Sequence, residues 1–362
     1  MKSHDLSLSG PSARLATILS GLILLLLPSC AGDEREDSEQ ARAPAPSTET
    51  APRAAGAEEE PTTTSTALQV PEREAPELVW VGLEDAGEVA LVDLARGKVL
   101  ARHDAPGGPH NVTVAENGTA AATLYASDRV ALAQRRTVRL LRLGGRPHDV
   151  KALGDLFVVA NEAGRRIDLV RRGRHAGSIG LKAEPHDLAI APGGKRAWVT
   201  LNGSDELAVV DLGARRVVRY VGTGRRPHDI LFAPDGRLWV TDWAGPVHVF
   251  DRRGRPQGSV ELAQESHHLA FTPDGRQAWI TDHGAKRIFV IDARRLRRIG
   301  SLPIRGAPHH VAISPAGTLA AVADHDNGTV VVYDVRRRTL VRTVRVGAGP
   351  HGVWAVPANQ LP

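Results

Sequence analysis

The chain has 362 residues, with 46 Lys and Arg against 41 Asp and Glu and a formal net charge of +5. It holds a single Cys, Cys30, and a single Met, Met1, which excludes a disulfide framework or a thiolate metal cage within one chain. At this length one domain requires a large repeat or barrel architecture.

Residues 1–30 carry Lys2 and Arg14, the apolar run LATILSGLILLLL and the small-residue stretch LPSCAG. Charged, apolar and small-residue parts in that order read as a secretory signal, and the run is too short and too near the start for a spanning helix. The LPSC stretch resembles a bacterial lipobox, in which a signal peptidase cuts before the Cys and a lipid is attached to its thiol. Leu27, Ser29 and Cys30 fit that pattern, while Pro28 is not the commonest residue at its position. The resemblance implies an exported lipoprotein anchored through Cys30. Ala31 carries no inner-membrane retention signal in the family's sorting rule, so the implied location is the outer membrane, facing the periplasm or the cell surface.

Residues 31–76 are rich in Ala, Pro, Thr and Glu and nearly free of large apolar side chains. Such a segment cannot bury enough surface to offset its ordering entropy and reads as a disordered tether. It holds 11 acidic and 4 basic residues, which leaves residues 77–362 at +11. A basic body can attract an envelope polyanion, anionic lipid headgroups, a glycan or a protein. Arginines between apolar strands also do the simpler work of solvating sheet edges. Export and the lack of a basic stretch interleaved with aromatics argue against nucleic acid.

Seven segments then align: GPHNVTV, RPHDVKA, EPHDLAI, RPHDILF, SHHLAFT, APHHVAI and GPHGVWA, with first histidines at His110, His148, His186, His228, His267, His309 and His351. Self-similarity at about 40 residues with four short strands per unit marks a β-propeller. After His186 the four strands read DLAIA, RAWVTL, LAVVDL and RVVRYVG, separated by Gly-, Asn- and Pro-containing turns. Before the first Pro-His there are three strands within 78–103, and after the last there is one, 351–356. Three plus one completes a seventh blade, so the expected fold is an all-β seven-bladed propeller over 77–357, closed by 351–356 as an innermost strand, with a short tail at 358–362. A closed ring needs no partner to fold, and a monomer is expected.

Segments such as GRRPHDILFAPDGRLWVTD and RIFVIDARRLRRIGSLPIRGAPHHVAISPAGTLAAVAD resemble the YVTN-type repeats of bacterial seven-bladed cell-envelope propellers. The resemblance covers 77–357 and implies the fold. It leaves function open, because this scaffold carries binding proteins, lactonases, lyases and metal or haem redox enzymes.

In the propeller strand order the seven histidines ring the channel mouth. The loops between second and third strands bring Asn161 and Glu162, Asp242 and Trp243, Asp282 and His283, and Asp324 and His325 to the same face. Asp149, Asp187 and Asp229 follow their histidines directly, and His268 and His310 take that place in two units. Converging imidazoles and carboxylates suit a divalent metal, copper among them, or a polar ligand. Two simpler accounts compete: a histidine can bond a neighbouring blade's backbone, and Asp at a strand end can bond its own turn. Yet the histidine is present in all seven units, while its Pro gives way to Ser266 and the second-strand tryptophans Trp80, Trp198, Trp239 and Trp279 are replaced in the others.

Three functions follow. The first is an envelope binding module with the ring as its ligand or metal site. The second is a metal-dependent oxidoreductase, since a histidine-lined seven-bladed propeller is similar to the copper-holding domain of nitrous oxide reductase. Its cysteine-bearing copper domain and any Cys-x-x-Cys-His haem motif are missing here. The third is a divalent-metal lyase or lactonase on the same face, with His228, His267 and His309 and Asp282 and Asp324 as ligands or proton acceptors. No Gly-x-Ser-x-Gly or phosphate-loop motif supports a serine hydrolase or nucleotide enzyme.

Overall fold

The computed structural model describes residues 77–134, 137–262 and 265–356. The expected signal sequence with Cys30, the expected tether over 31–76 and the 358–362 tail lie outside the described residues. Twenty-eight strands form seven antiparallel sheets of four, each ordered from the innermost to the outermost strand.

Blade 1 is composite. Its innermost strand is Pro350–Val356, paired to Leu78–Leu83, followed by Glu88–Asp93 and Lys98–Asp104. The innermost strands of blades 2 to 7 are Pro109–Val114, Pro147–Leu153, Glu184–Ile190, Pro227–Phe232, Ser266–Phe271 and Pro308–Ile313. The joint is packed as well as hydrogen-bonded: Val79, Val81 and Val353 of blade 1 share one apolar cluster with Ala321, Ala323, Val330 and Val332 of blade 7. Closing the ring this way pairs the inner edge of Leu78–Leu83 and completes its four-stranded blade.

Second strands such as Leu78–Leu83, Leu156–Asn161 and Leu238–Asp242 are buried throughout. They are packed between neighbouring blades on both faces, which is why they read as continuous apolar runs and not as alternations. Outermost strands such as Lys98–Asp104 and Thr339–Arg345 are mostly exposed and carry many of the arginines. The turns follow the sequence reading: in Pro-Asp-Gly the Asp235 carboxylate accepts from the Arg237 N–H at 2.9 Å, and Gly236 takes φ +83°.

One boundary differs. The innermost strand of blade 4 begins at Glu184 and not after His186, because Pro185 is already paired with Leu201. Among the described residues no helix is long and apolar enough to cross a membrane.

Candidate functional site

The site begins with a backbone irregularity repeated in every blade. Pairing in blade 2 runs Pro109 to Leu124 and then Val112 to Ala122, so His110 and Asn111 together oppose the single residue Thr123. The register shifts in the same place in the other six innermost strands. In a regular strand successive side chains point to opposite faces, whereas a bulge re-aims one of them. Two residues per blade thereby become available to the channel.

The residue opposite the bulge is Thr in four blades. Thr123, Thr200, Thr241 and Thr281 accept the N–H of Asn111, Asp187, Asp229 and His268 at 2.9–3.0 Å. The first three also donate, at 2.7 Å, to the carbonyl of the next blade's histidine: His148, His228 and His267. Each such threonine satisfies the bulge and fixes the neighbouring histidine. Sequence reasoning missed them, although a Thr before the loop residue in TLY, VTDW and ITDH was the available signal.

The seven histidines form a closed ring of imidazoles. Successive ring centroids from His110 through His148, His186, His228, His267, His309 and His351 back to His110 lie 4.4, 3.9, 4.2, 4.2, 5.0, 4.3 and 3.7 Å apart. Two members bond a neighbouring blade's backbone: His148 Nδ1 lies 3.0 Å from the His186 carbonyl and His351 Nδ1 3.2 Å from that of His110. His110 and His148 meet through Nε2 at 3.0 Å. Tyr125, in a short 3-10 turn, stacks on His110 at 5.1 Å and donates to Glu162 at 2.9 Å.

The loop residues divide. His283 stacks on His267 at 3.8 Å, His325 lies over His309 at 4.6 Å, and Trp243 meets His228 edge-on at 4.7 Å. The aspartates instead serve their turns. Asp242 accepts from Ala244 N–H at 2.7 Å, Asp282 from Ala285 N–H at 2.8 Å and Asp324 from the Asn327 amide at 2.9 Å. Asn161 likewise accepts from Gly164 N–H at 3.2 Å.

One step below the ring lie Asn111, Asp149, Asp187, Asp229, His268 and His310. His268 and His310 have ring centroids 3.3 Å apart, and Lys151 pairs with Asp149 at 2.6 Å. Of these, Asn111, Asp149, Asp229, His310 and Lys151 line, with Trp354, a channel cavity of about 250 Å³.

Burial makes most of these imidazoles neutral. It is the main cause holding His110, His228, His267, His268, His310 and His351 well below 6.5, with neighbouring imidazoles adding repulsion. Burial also takes His283 down to about 4 and, with repulsion from His283 and His325, His309 to about 2. His148 is the exception: burial opposes its charge, but the hydrogen-bonded Asp187 outweighs it and raises the pKa. Burial opposes charge on Asp187 too, yet His186 and hydrogen bonds from His148 and His186 hold it well below the carboxylate range. Asp229 is pushed up to about 7 by burial and by Asp187.

His267, His283 and His309 place one nitrogen each within 4.8 Å of one another. His267 Nδ1, His283 Nε2 and His309 Nδ1 are buried without a hydrogen-bond partner among the described residues. Buried polar atoms are ordinarily paired, and the unprotonated nitrogen of a neutral imidazole can accept a hydrogen bond or hold a metal ion.

The fold and this site define a seven-bladed propeller with a histidine-lined channel mouth. More particularly, the model of the YNCE-like beta-propeller family matches residues 155–360, and the chain belongs to that family. Protein NirF of Stutzerimonas stutzeri is 24% identical over 119 residues, a match spanning 28% of this chain and 30% of NirF. Among solved structures, the dihydro-heme d1 dehydrogenase NirN superposes with a TM-score of 0.61 at 15% identity, over 80% of this chain and 77% of NirN. The periplasmic gluconolactonase PpgL of Pseudomonas aeruginosa gives 0.66 at 19%, over 78% and 99%. Virginiamycin B lyase of Staphylococcus aureus gives 0.61 at 14%, over 70% and 93%. Likenesses this remote show the fold alone.

Proposed function

We propose that this is an exported cell-envelope binding protein whose channel mouth takes a transition-metal ion of the zinc or copper class. The observation that carries the reading is the trio His267, His283 and His309, which place one nitrogen each within 4.8 Å of one another and each keep one buried nitrogen unpartnered among the described residues. Three neutral imidazoles are a common donor set for such ions, and they leave a coordination position for water or ligand. The lipobox-like LPSC stretch and the acidic tether supply a membrane anchor through Cys30, and PpgL, a similar fold, is periplasmic.

Within that trio, binding is favoured over turnover. A general base works best with a pKa near the operating pH, and His283 at about 4 and His309 at about 2 are too weakly basic for that. A lyase or lactonase reading keeps one point in its favour, the position left open by three ligands, on which a bound ion would polarise a carbonyl oxygen.

The test is elemental analysis of the full chain, purified from the envelope without a polyhistidine tag, beside a His267→Ala/His309→Ala variant. Bound metal in the wild type and the loss of one equivalent in the variant are expected. A metal-free wild-type protein, after reloading with zinc and copper, would end the reading. For the anchor, Cys30→Ser is expected to move the chain from the membrane to the soluble fraction, and an unchanged partition would remove it.

A further inference from the structure

Three blades place an aspartate directly after the ring histidine, and two of them use it identically. Asp149 Oδ1 accepts from its neighbour Val150 N–H at 2.8 Å, and Oδ2 from Leu188 N–H of the next blade at 3.0 Å. Asp229 Oδ1 accepts from Ile230 N–H at 2.7 Å, and Oδ2 from Leu269 N–H of the next blade at 2.9 Å. Each carboxylate therefore straps two innermost strands together.

Asp187 stands between them and has no such work left. By the same geometry it would bind Leu188 N–H and Ile230 N–H. The first is held by Asp149 and the second by Asp229. Its carboxylate, 1% exposed, turns instead into the imidazole layer: Oδ1 lies 3.4 Å from His148 Nδ1, and Oδ2 lies 3.3 Å from His186 Nδ1 and 3.9 Å from His228 Nδ1. The Asn111 amide lies 3.4 Å from Oδ1, and Asp187, Asp229 and His268 also place one ligand atom each within 4.8 Å of one another. His228, 5% exposed, leaves Nδ1 buried without a hydrogen-bond partner among the described residues. Ligand atoms about 2.1 Å from a tetrahedral ion lie about 3.4 Å apart, close to the 3.4 and 3.3 Å that separate Asp187 oxygens from His148 and His186 Nδ1.

We propose that Asp187, His148 and His186, which place one ligand atom each within 4.8 Å of one another, form a second divalent-cation site with His228 beside them, separate from the trio at the mouth. It rests on reading the channel as metal-binding, but shares no ligand with His267, His283 and His309. Its donor set differs in kind: one carboxylate oxygen adds a negative charge and a harder ligand beside the imidazoles, a mixed set that zinc-class ions also take. The strap arrangement explains why one aspartate of three is available.

The experiment is zinc stoichiometry, by elemental analysis after gel filtration, of the chelator-stripped full chain. The comparison is wild type against Asp187→Asn, Asp149→Asn and His267→Ala/His309→Ala. Two ions are expected in wild type, one in Asp187→Asn, one in the double histidine variant, and two in Asp149→Asn, which loses a strap and not a ligand. Two ions retained in Asp187→Asn would overturn the second site and leave Asp187 as the counter-charge of His148. One wild-type ion that is lost with His267 and His309 but not with Asp187 keeps the mouth site and overturns this one. The reverse pattern keeps this site and removes the mouth, and no ion at all removes both. Should Asp187→Asn fail to fold, His186→Gln, which leaves every carboxylate in place, decides by the same readout.

Discussion

In blade 7 the innermost strand, Pro308–Ile313, sets His309 and His310 against Ala323, while the outermost strand, Thr339–Arg345, leaves Val341 between the pairs Val332–Arg342 and Tyr333–Leu340. Both strands are bulged. Outer bulges recur in blades 1, 3, 4, 5 and 6 as well. A bulge alone therefore defines nothing, since it accommodates strand twist at both edges of a blade. What differs is the surroundings. The inner bulge faces other blades across a narrow channel, so its side chains meet imidazoles and carboxylates. The outer one faces solvent, and Leu340 and Val341 are 60% and 42% exposed.

The largest effect that separates the two regions is expected from acid. In the metal-free protein eight inner-face histidines, His110, His228, His267, His268, His283, His309, His310 and His351, have pKa values held below 6.5. The unfolded chain protonates them near 6.5, so it binds more protons than the native state below that pH. Stability is then full above about 6.5 and falls as pH drops. His148 and Asp229, with raised values, act in the opposite sense and are outnumbered. Each depressed histidine gives up about 1 kcal/mol per pH unit, and eight together reach the whole stability of an ordinary domain, about 5–15 kcal/mol. Cooperative unfolding between about pH 5 and 6 should appear in thermal melts taken across pH, whereas a midpoint that stays level from pH 7.5 to 5 would contradict the burial of the ring.

A smaller effect is expected from Thr241→Val, which keeps the shape and removes the oxygen that links Asp229 N–H to the His267 carbonyl. Leaving that buried N–H unsatisfied costs about 1–3 kcal/mol, readable in urea unfolding. A loss under a few tenths of a kcal/mol would mean the bulge holds itself. The smallest belongs to the outer strand: Val341→Thr should stay within about 0.5 kcal/mol. A larger cost there would show that the outer bulge carries packing that its exposure does not reveal.

Much of this molecule was legible before any coordinates. The seven Pro-His segments count the blades, and three strands before the first with one after the last require closure by Pro350–Val356, because an open propeller would leave edges unpaired. The site was legible only in part. The ring histidines and the partners His283 and His325 could be named, while Asp242, Asp282 and Asp324 proved to be turn residues and the threonines behind the bulges went unnoticed.

By itself the sequence determined the blade number, the closure and the identity of the ring, since these follow from repeat spacing and residue type along one chain. Only the tertiary structure decided that His and the residue after it both reach the channel, because period-two alternation places them on opposite faces until a bulge intervenes. It also decided which aspartate is left off the backbone straps. Asp149, Asp187 and Asp229 look equivalent in sequence, and the backbone N–H that each can reach belongs to another blade some 40 residues away, so the competition that releases Asp187 exists only once the ring is closed.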